Sequence, residues 1–318
     1  MQYTIRHVTK FSYDEPISES VMEVRMQPRS EASQHCLRFG LSTMPTSRVR
    51  MYQDSGGNIV HHFNIPGRHS RLTVTAEAFV EMSPPRPLPA DLGLGAWEQI
   101  DAATATGDFW ESLNASPFAH STEPLETLAL EIGLARGDDP IATVRQIMSD
   151  VFTRFEYAPQ STRVDSPIDD ALSDRKGVCQ DFAHIMIALV RQLGIPCRYV
   201  SGYLFQPAES TGSLDGATHA WVEVWLPELG WVGLDPTHDI PAGEHHIRVA
   251  VGRDYADVPP TRGVFKGLTV VRSELAVGVS VGTTQGIVSD QTRFVPWMSR
   301  EAVSPLVDLE SSQQQQQQ

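Results

Sequence analysis

Lys176-Gly177-Val178-Cys179-Gln180-Asp181-Phe182-Ala183 reads as a loop turning into a helix, and the fold follows from it. Behind Cys179, the residues Phe182, Ile185, Met186, Leu189, Val190 and Leu193 recur at helical spacing, until Gly194-Ile195-Pro196 ends the run. A thiol at a helix N-terminus sits in the positive end of the dipole, which favours the thiolate over the thiol. The backbone N–H of Cys179 is a natural donor to an oxyanion. Gly177 lets the chain turn sharply beside it. Asp181, in the first helical turn, is a cap for free N–H groups.

Two strands follow. Thr218-His219-Ala220-Trp221 opens one, and Leu234-Asp235-Pro236-Thr237 ends the other. Residues 219, 221, 223 and 225 share one face of the first strand. A connection over Leu226 to Gly230 sets Trp225 opposite Trp231 and Trp221 opposite Asp235. Asp235 then falls on the His219 face, one diagonal step away, roughly 7–8 Å between backbones. A connection one residue shorter would turn it to the other face. Cysteine, histidine and aspartate in this order, each at an element boundary, provide a thiol nucleophile, a base and a carboxylate to orient the base.

Outward from this centre the chain changes character twice. Up to about Met82 it alternates in short strand-like runs, among them Tyr3 to Val8, Val21 to Met26, Arg48 to Tyr52, Ile59 to Phe63 and Leu72 to Val80. Asp54-Ser55-Gly56-Gly57-Asn58 is a turn cluster between two of them. An all-β, sandwich-like domain over 1–84 is expected, closed by the stiff linker Pro84-Pro85-Arg86-Pro87-Leu88-Pro89. From about Leu92 helical patterns take over. Thr122-Glu123-Pro124 marks one helix start, Ala142 to Phe155 is amphipathic, and Asp169 to Leu172 is a shorter stretch. Helices followed by antiparallel strands make the region 85–272 an α+β domain. Thr237 to Phe265 has little periodicity and reads as one long functional loop. Within 273–310, Leu275 to Val281 alternates cleanly enough to return to a sheet of the first domain. The glutamine-rich 311–318 has the composition of a disordered tail.

Composition narrows the partners. A net charge of −14 argues against a basic face for nucleic acid or anionic membrane. No apolar run approaches the ~20 residues of a membrane helix. Three cysteines, Cys36, Cys179 and Cys197, do not make a disulfide framework. The start Met1-Gln2-Tyr3-Thr4-Ile5-Arg6 goes directly into strand alternation, so a reducing, cytoplasmic setting is expected.

The same residues carry a resemblance. Gly177-Val178-Cys179-Gln180-Asp181-Phe182-Ala183, His219-Ala220-Trp221-Val222-Glu223-Val224-Trp225 and Asp235-Pro236-Thr237 resemble the transglutaminase-like superfamily of papain-type folds. The branch they are most similar to is a bacterial group of candidate cysteine proteases with an N-terminal β domain. Gly202-Tyr203-Leu204 and the run Gly243 to Tyr255 extend the resemblance over most of the chain. It implies a catalytic domain over 85–272 and a Cys179–His219–Asp235 triad attacking an amide carbonyl through a thioester. By the same analogy, Tyr157 and Gln160 are candidates for a second oxyanion donor beside the Cys179 N–H. Gln180, Asp181, Trp221 and His246 are candidates for lining the site. His238 stands where relatives often carry asparagine, a departure at the neighbour of the acid rather than in the triad.

The expected activity is thiol-dependent amide hydrolysis or acyl transfer on a peptide, protein or small amide, with no cofactor and no metal. Calcium is not expected, because no Asp/Asn-rich ligand loop is present. The other enzymatic readings are a protein-crosslinking transglutaminase and a CoA-dependent N-acyltransferase, the latter without a visible phosphate cradle. A peptide-binding module without catalysis is the reading from another class. Zinc at Cys179 and His219 lacks any Cys-x-x-Cys or His-x-x-x-His support. Cys36 and Cys197 read as core, and so do the tryptophans of the hairpin. His184 reads as a satisfied structural histidine. Arg248, Arg253 and Arg262 are candidates for holding a substrate carboxylate.

Overall fold

The structure, a computed structural model, describes residues 1–31, 33–206, 218–267 and 271–283, together with the backbone of 295–297 and 301–302. The tail at 311–318 lies outside the described residues. In chain order, β1 (Gln2–Val24), β2 (Gln34–Met44), β3 (Arg50–Gln53) and β4 (Ile59–Met82) come first. The helices α1 (Ala96–Thr104), α2 (Trp110–Leu113), α3 (Glu123–Glu131) and α4 (Pro140–Arg154) follow. Next are β5 (Glu156–Tyr157), α5 (Ile168–Asp174), β6 (Lys176–Gly177) and α6 (Cys179–Gln192). The strands β7 (Cys197–Leu204), β8 (His219–Leu226), β9 (Gly230–Asp235), β10 (Ile240–Pro241) and β11 (His246–Gly252) then form a group. The described strands end with β12 (Thr261–Lys266), β13 (Val271–Thr283), β14 (Val295–Trp297) and β15 (Glu301–Ala302). Among the described residues, no helix is long and apolar enough to cross a membrane.

Two compact units result. One comprises Met1–Met82, Phe205–Thr218 and the chain from Pro260 onward; the other comprises Ser83–Leu204 and His219–Pro259. In the first unit, four of the short strands read from sequence are segments of two long ones, β1 and β4, and the run at Arg48 to Tyr52 is the separate short strand β3. The ladder between β1 and β4 slips between Ser12 and Ile17 and again before Glu19, where Asp14-Glu15-Pro16 interrupts the alternation. Beyond the slip, Met22, Val24, Phe63 and Ile65 share a core with Leu72, Val74 and Ala76 from before it. One sheet folded on itself thus supplies the sandwich-like core. The turn at 54–58 is as expected, with Asp54 accepting from Asn58 N–H at 2.9 Å.

The free edge of β1 is covered by segments from far along the chain. β13 pairs with it from Tyr3 to Tyr13, so the alternating run at 275–281 does return to the first sheet. β12 pairs with it from Glu19 to Val24. The expected second domain therefore ends at Pro259 rather than at 272, because β12 finds its hydrogen bonds on β1.

The second unit is built around α6, in which every residue from Gln180 to Arg191 is buried. A helix enclosed on all sides must be apolar or have its polar groups paired. Ile185 to Val190 are all apolar, and buried Gln180, Asp181, His184 and Arg191 are each hydrogen-bonded. Its neighbours include α3, α4 and α5 and a five-stranded antiparallel sheet in the order β10-β9-β8-β7-β11. The helix starts follow the capping rules. Thr122 accepts from Leu125 N–H at 3.3 Å, and Asp139 accepts from Ile141 N–H at 2.8 Å. Gly202 in β7 is dictated by space, since a Cβ there would lie 2.3 Å from the Ile247 carbonyl and 2.5 Å from the Trp221 ring.

The segment 237–265 is not one long loop. It contains β10, β11, a 3₁₀ turn at Tyr255–Asp257 and most of β12. Cys197 is fully buried as expected, but Cys36 is not core. A ladder slip between Cys36 and Arg38 breaks the alternation of β2, and the thiol is left partly exposed.

Candidate active site

Cys179 is the first residue of α6, and Val178 before it is extended, at φ −112°. Asp181 reaches back from the first turn, accepting from Val178 N–H at 2.8 Å and from the Thr162 hydroxyl. Burial pushes its carboxyl upward, against the pull of those two bonds. Gly177 makes room for this cap, since a Cβ on it would come within 2.9 Å of the Asp181 carboxylate. Gly177→Ala is accordingly expected to cost about 1–2 kcal/mol, the scale of a lost N-cap, measurable by thermal unfolding. Gln180, buried, donates to the Val164 carbonyl at 2.9 Å. Gln180 and Asp181 thus hold the 162–164 loop against the start of α6.

The β8–β9 register is the one that the five-residue connection requires. Trp225 lies opposite Trp231 and Val222 opposite Leu234, so Asp235 shares a face with His219. His219 Nε2 donates to Asp235 Oδ2 at 2.8 Å. Cys179 acts on the same ring, favouring its charged form, and with Nε2 committed to the carboxylate, Nδ1 is the nitrogen left to face sulfur. The structure therefore brings together the three side chains singled out from sequence.

Electrostatics separate the members. Burial is the largest influence on His219 and opposes its charge, but Asp235, through charge and hydrogen bond, and Cys179 outweigh it. The net effect raises the imidazolium to about 10. For Asp235, burial again opposes charge, and His219 with two further histidines holds the carboxyl well below the usual range.

Those two histidines are His238 and His246. His238 Nδ1 donates to Asp235 Oδ2 at 2.7 Å, and His246 Nε2 does so at 3.1 Å. The other oxygen, Oδ1, accepts from Thr237 N–H at 2.9 Å. Trp221 is 1 % exposed, lies almost parallel to the His219 ring at 6.0 Å and meets His246 edge-on at 5.3 Å. Tyr157 is brought to the site by a two-residue parallel bridge, Tyr157 opposite Gly177. Burial, then the negative charges of Cys179, Asp235 and Asp181, push its phenol upward, so it stays a donor. Gln160 is exposed, at a left-handed φ of 65°, and no hydrogen bond among the described residues ties it to the thiol. Tyr199, unremarked in the sequence, is buried within electrostatic reach of Cys179.

Comparison with known proteins places the fold in a family. Residues 128–236 match the family model of the transglutaminase-like superfamily, and residues 3–81 that of the bacterial transglutaminase-like N-terminal region. An uncharacterized protein of Mycobacterium leprae is 32% identical over 278 residues, 86% of this chain and 96% of that one. The chain belongs to the transglutaminase-like superfamily. A protein-glutamine gamma-glutamyltransferase of Pseudomonas aeruginosa is 31% identical over 143 residues, 40% of this chain and 21% of that enzyme. A crystal structure described as a candidate cysteine protease from Cytophaga hutchinsonii has the same fold. It aligns over 95% of this chain and 94% of its own, with a TM-score of 0.67 at 21% identity.

For this transglutaminase-like chain, several other residues have roles other than those expected. Arg248 pairs with buried Glu223 at 2.8 Å and Arg253 with Asp257 at 2.9 Å, so both arginines already hold carboxylates of the protein. His184 is buried, accepts from Tyr255 N–H at 3.2 Å and is held neutral by burial at about 3, which is a structural role. His219, Asp235 and His238 bring possible ligand atoms within 4.8 Å of one another. Both ring nitrogens, however, point a proton at the same carboxylate oxygen, which is a hydrogen-bond arrangement rather than a set of open lone pairs.

Proposed function

We propose that this protein is a thiol-dependent amidohydrolase or acyltransferase, with Cys179 as nucleophile, His219 as acid–base group and Asp235 as its orienting carboxylate. The observation that carries this reading is His219, gripped by a buried carboxylate at 2.8 Å and biased strongly toward its protonated form by Asp235 and Cys179 together. Sulfur attacks the amide carbonyl, forming the S–C bond. The oxyanion is met by the Cys179 N–H and, in this reading, by the Tyr157 hydroxyl. His219 gives its proton to the departing amine as the C–N bond breaks, and a thioester remains. An incoming water or amine, deprotonated by His219, releases the acyl group and regenerates the thiol site.

Both resolving nucleophiles remain in the proposal, because the Pseudomonas aeruginosa relative is named a gamma-glutamyltransferase. Incubation of a glutamine peptide with and without a primary amine distinguishes them: hydrolysis yields only the acid, whereas transfer yields the substituted amide.

The site itself is tested by iodoacetamide at pH 6 with intact-mass detection. Cys179 should react well ahead of Cys36 and Cys197, since burial pushes both of those thiols up, Cys197 to about 12. His219→Ala should remove the preference and Cys179→Ala the fast adduct. Equal reactivity of Cys179 and Cys36 in the unmodified sequence would count against catalysis by this thiol.

A further inference from the structure

Three histidines share one oxygen of Asp235, and His219 is the one that the proposed reading pairs with the thiol. A carboxylate only accepts, so each nitrogen turned to it carries its proton there. For His246 the second nitrogen is fixed independently. Gly243 N–H donates to His246 Nδ1 at 3.1 Å, so Nδ1 presents a lone pair and the ring's proton sits on Nε2. The ring is 5 % exposed at the first position of β11, with Trp221 edge-on at 5.3 Å and the His219 ring 6.1 Å away. Asp235, His219 and His238 are the titratable groups facing it, and burial keeps it neutral. Its tautomer, orientation and charge state are therefore all determined by backbone and packing.

A carboxylate bound by one imidazole can rotate, because the terminal torsion of an aspartate is broad. Here Thr237 N–H fastens Oδ1 from the following turn, and His246 fastens Oδ2 from the far edge strand of the same sheet. Sharing Oδ2 among several donors also lowers its basicity, so the proton stays on His219 rather than passing to the acid. We infer that His246 is a positioning residue: the relay Gly243 N–H to His246, and His246 Nε2–H to Asp235, sets the carboxylate so that His219 presents Nδ1 to Cys179. This inference rests on the proposed working site and adds to it a member from β11.

The experiment compares His246→Leu, His246→Gln and His246→Asn in the full chain, following the second-order rate of Cys179 alkylation by iodoacetamide from pH 5 to 9. Circular dichroism selects conditions in which each variant is folded. His246→Leu should lose about tenfold in rate at pH 6, the scale of one hydrogen bond to a charged group. His246→Gln, whose amide can supply the N–H at the Nε2 position, should remain within about threefold, whereas the shorter His246→Asn should fall with the leucine variant. If the leucine variant does not fold, the glutamine–asparagine pair decides. A purely structural His246 would lower the unfolding temperature while leaving the alkylation profile of every folded variant unmoved, and that result overturns the inference. The original sequence and His219→Ala are run beside these. Absence of pH 6 selectivity in the original sequence, or its survival in His219→Ala, sinks the proposed site itself, whereas selectivity present in the original, lost in His219→Ala and unaltered across the His246 series sinks only the positioning role.

Discussion

Asp235→Asn should leave a folded protein whose Cys179 has lost its reactivity at pH 6 by on the order of 10²–10³, and amide turnover by on the order of 10³–10⁴. The substitution is nearly isosteric, so the loss reports charge and hydrogen bonding rather than a cavity. In the native site burial opposes the charge on His219, and only the attraction of Asp235, with help from Cys179, raises the group to about 10. An amide removes that attraction and leaves the burial. It also cannot satisfy its neighbours: Thr237 N–H occupies one oxygen and three imidazole N–H groups the other, so the new NH₂ meets a donor whichever way it turns.

Stability should show the same loss with a defined pH dependence. His219 has its folded-state value raised from 6.5 to about 10, so its contribution is complete below 6.5 and disappears as pH rises through 10. Asp235 is lowered well below 3.8, so its contribution is complete above that value and disappears only in stronger acid. The unfolding-temperature gap between native and variant should therefore be widest between about pH 4 and 6.5 and close toward pH 10. A gap that is flat with pH, or widest in alkali, would show that the carboxylate does not hold an imidazolium.

Much of this site was legible because its determinants are local. Cys179 announces its helix through the apolar residues that follow it, and the Leu226–Gly230 connection fixes the face of Asp235 through a strict period of two. His246 and Tyr157 were candidates for the site, but the elements that carry them there depend on distant partners, which periodicity does not show. His246, Arg248 and their neighbours read as an aperiodic loop because inward-facing polar residues interrupt the apolar pattern of β11. The structure explains their polarity, since His246 turns to Asp235 and Arg248 to Glu223. Tyr157 reaches the site through a parallel bridge of only two residues, too short to leave any periodic trace. The position of β12 depends on pairing with β1, more than 230 residues earlier, and no feature of Thr261–Lys266 specifies that edge. The assignment of Cys36 to the core failed for a related reason, because a single slipped residue in β2 reverses the expected side.

Arg191→Met should lower stability by about 3–5 kcal/mol, the cost of breaking a buried charged group's network, without altering the chemistry at Cys179. Arg191 is 8 % exposed, in the last turns of α6, and its guanidinium is spent on backbone. It donates to the carbonyls of Ser112 at 3.0 Å, Asn114 at 3.0 Å, Cys197 at 2.9 Å and Arg253 at 2.8 Å, and to the Ser116 hydroxyl at 3.2 Å. One planar fork therefore ties α6 to α2 and the segment after it, to the start of β7 and to the residue after β11. Methionine keeps most of the stem's volume but leaves these acceptors without their donors, and a buried acceptor left unpaired costs ~1–3 kcal/mol. Arg191→Lys should fall between, since an ammonium keeps the charge but cannot reach acceptors spread across a fork. Thermal unfolding at pH 7 should show a drop of roughly 10 °C for the methionine variant. Cys179 lies twelve residues away, about 18 Å along the helix axis, so iodoacetamide should modify the folded fraction at its native rate. A variant as stable as the original would mean that water replaces the guanidinium at these carbonyls. A stable variant with a slowed thiol would instead mean that the two ends of α6 are coupled, and that the helix does more than hold the cysteine at its N-terminus.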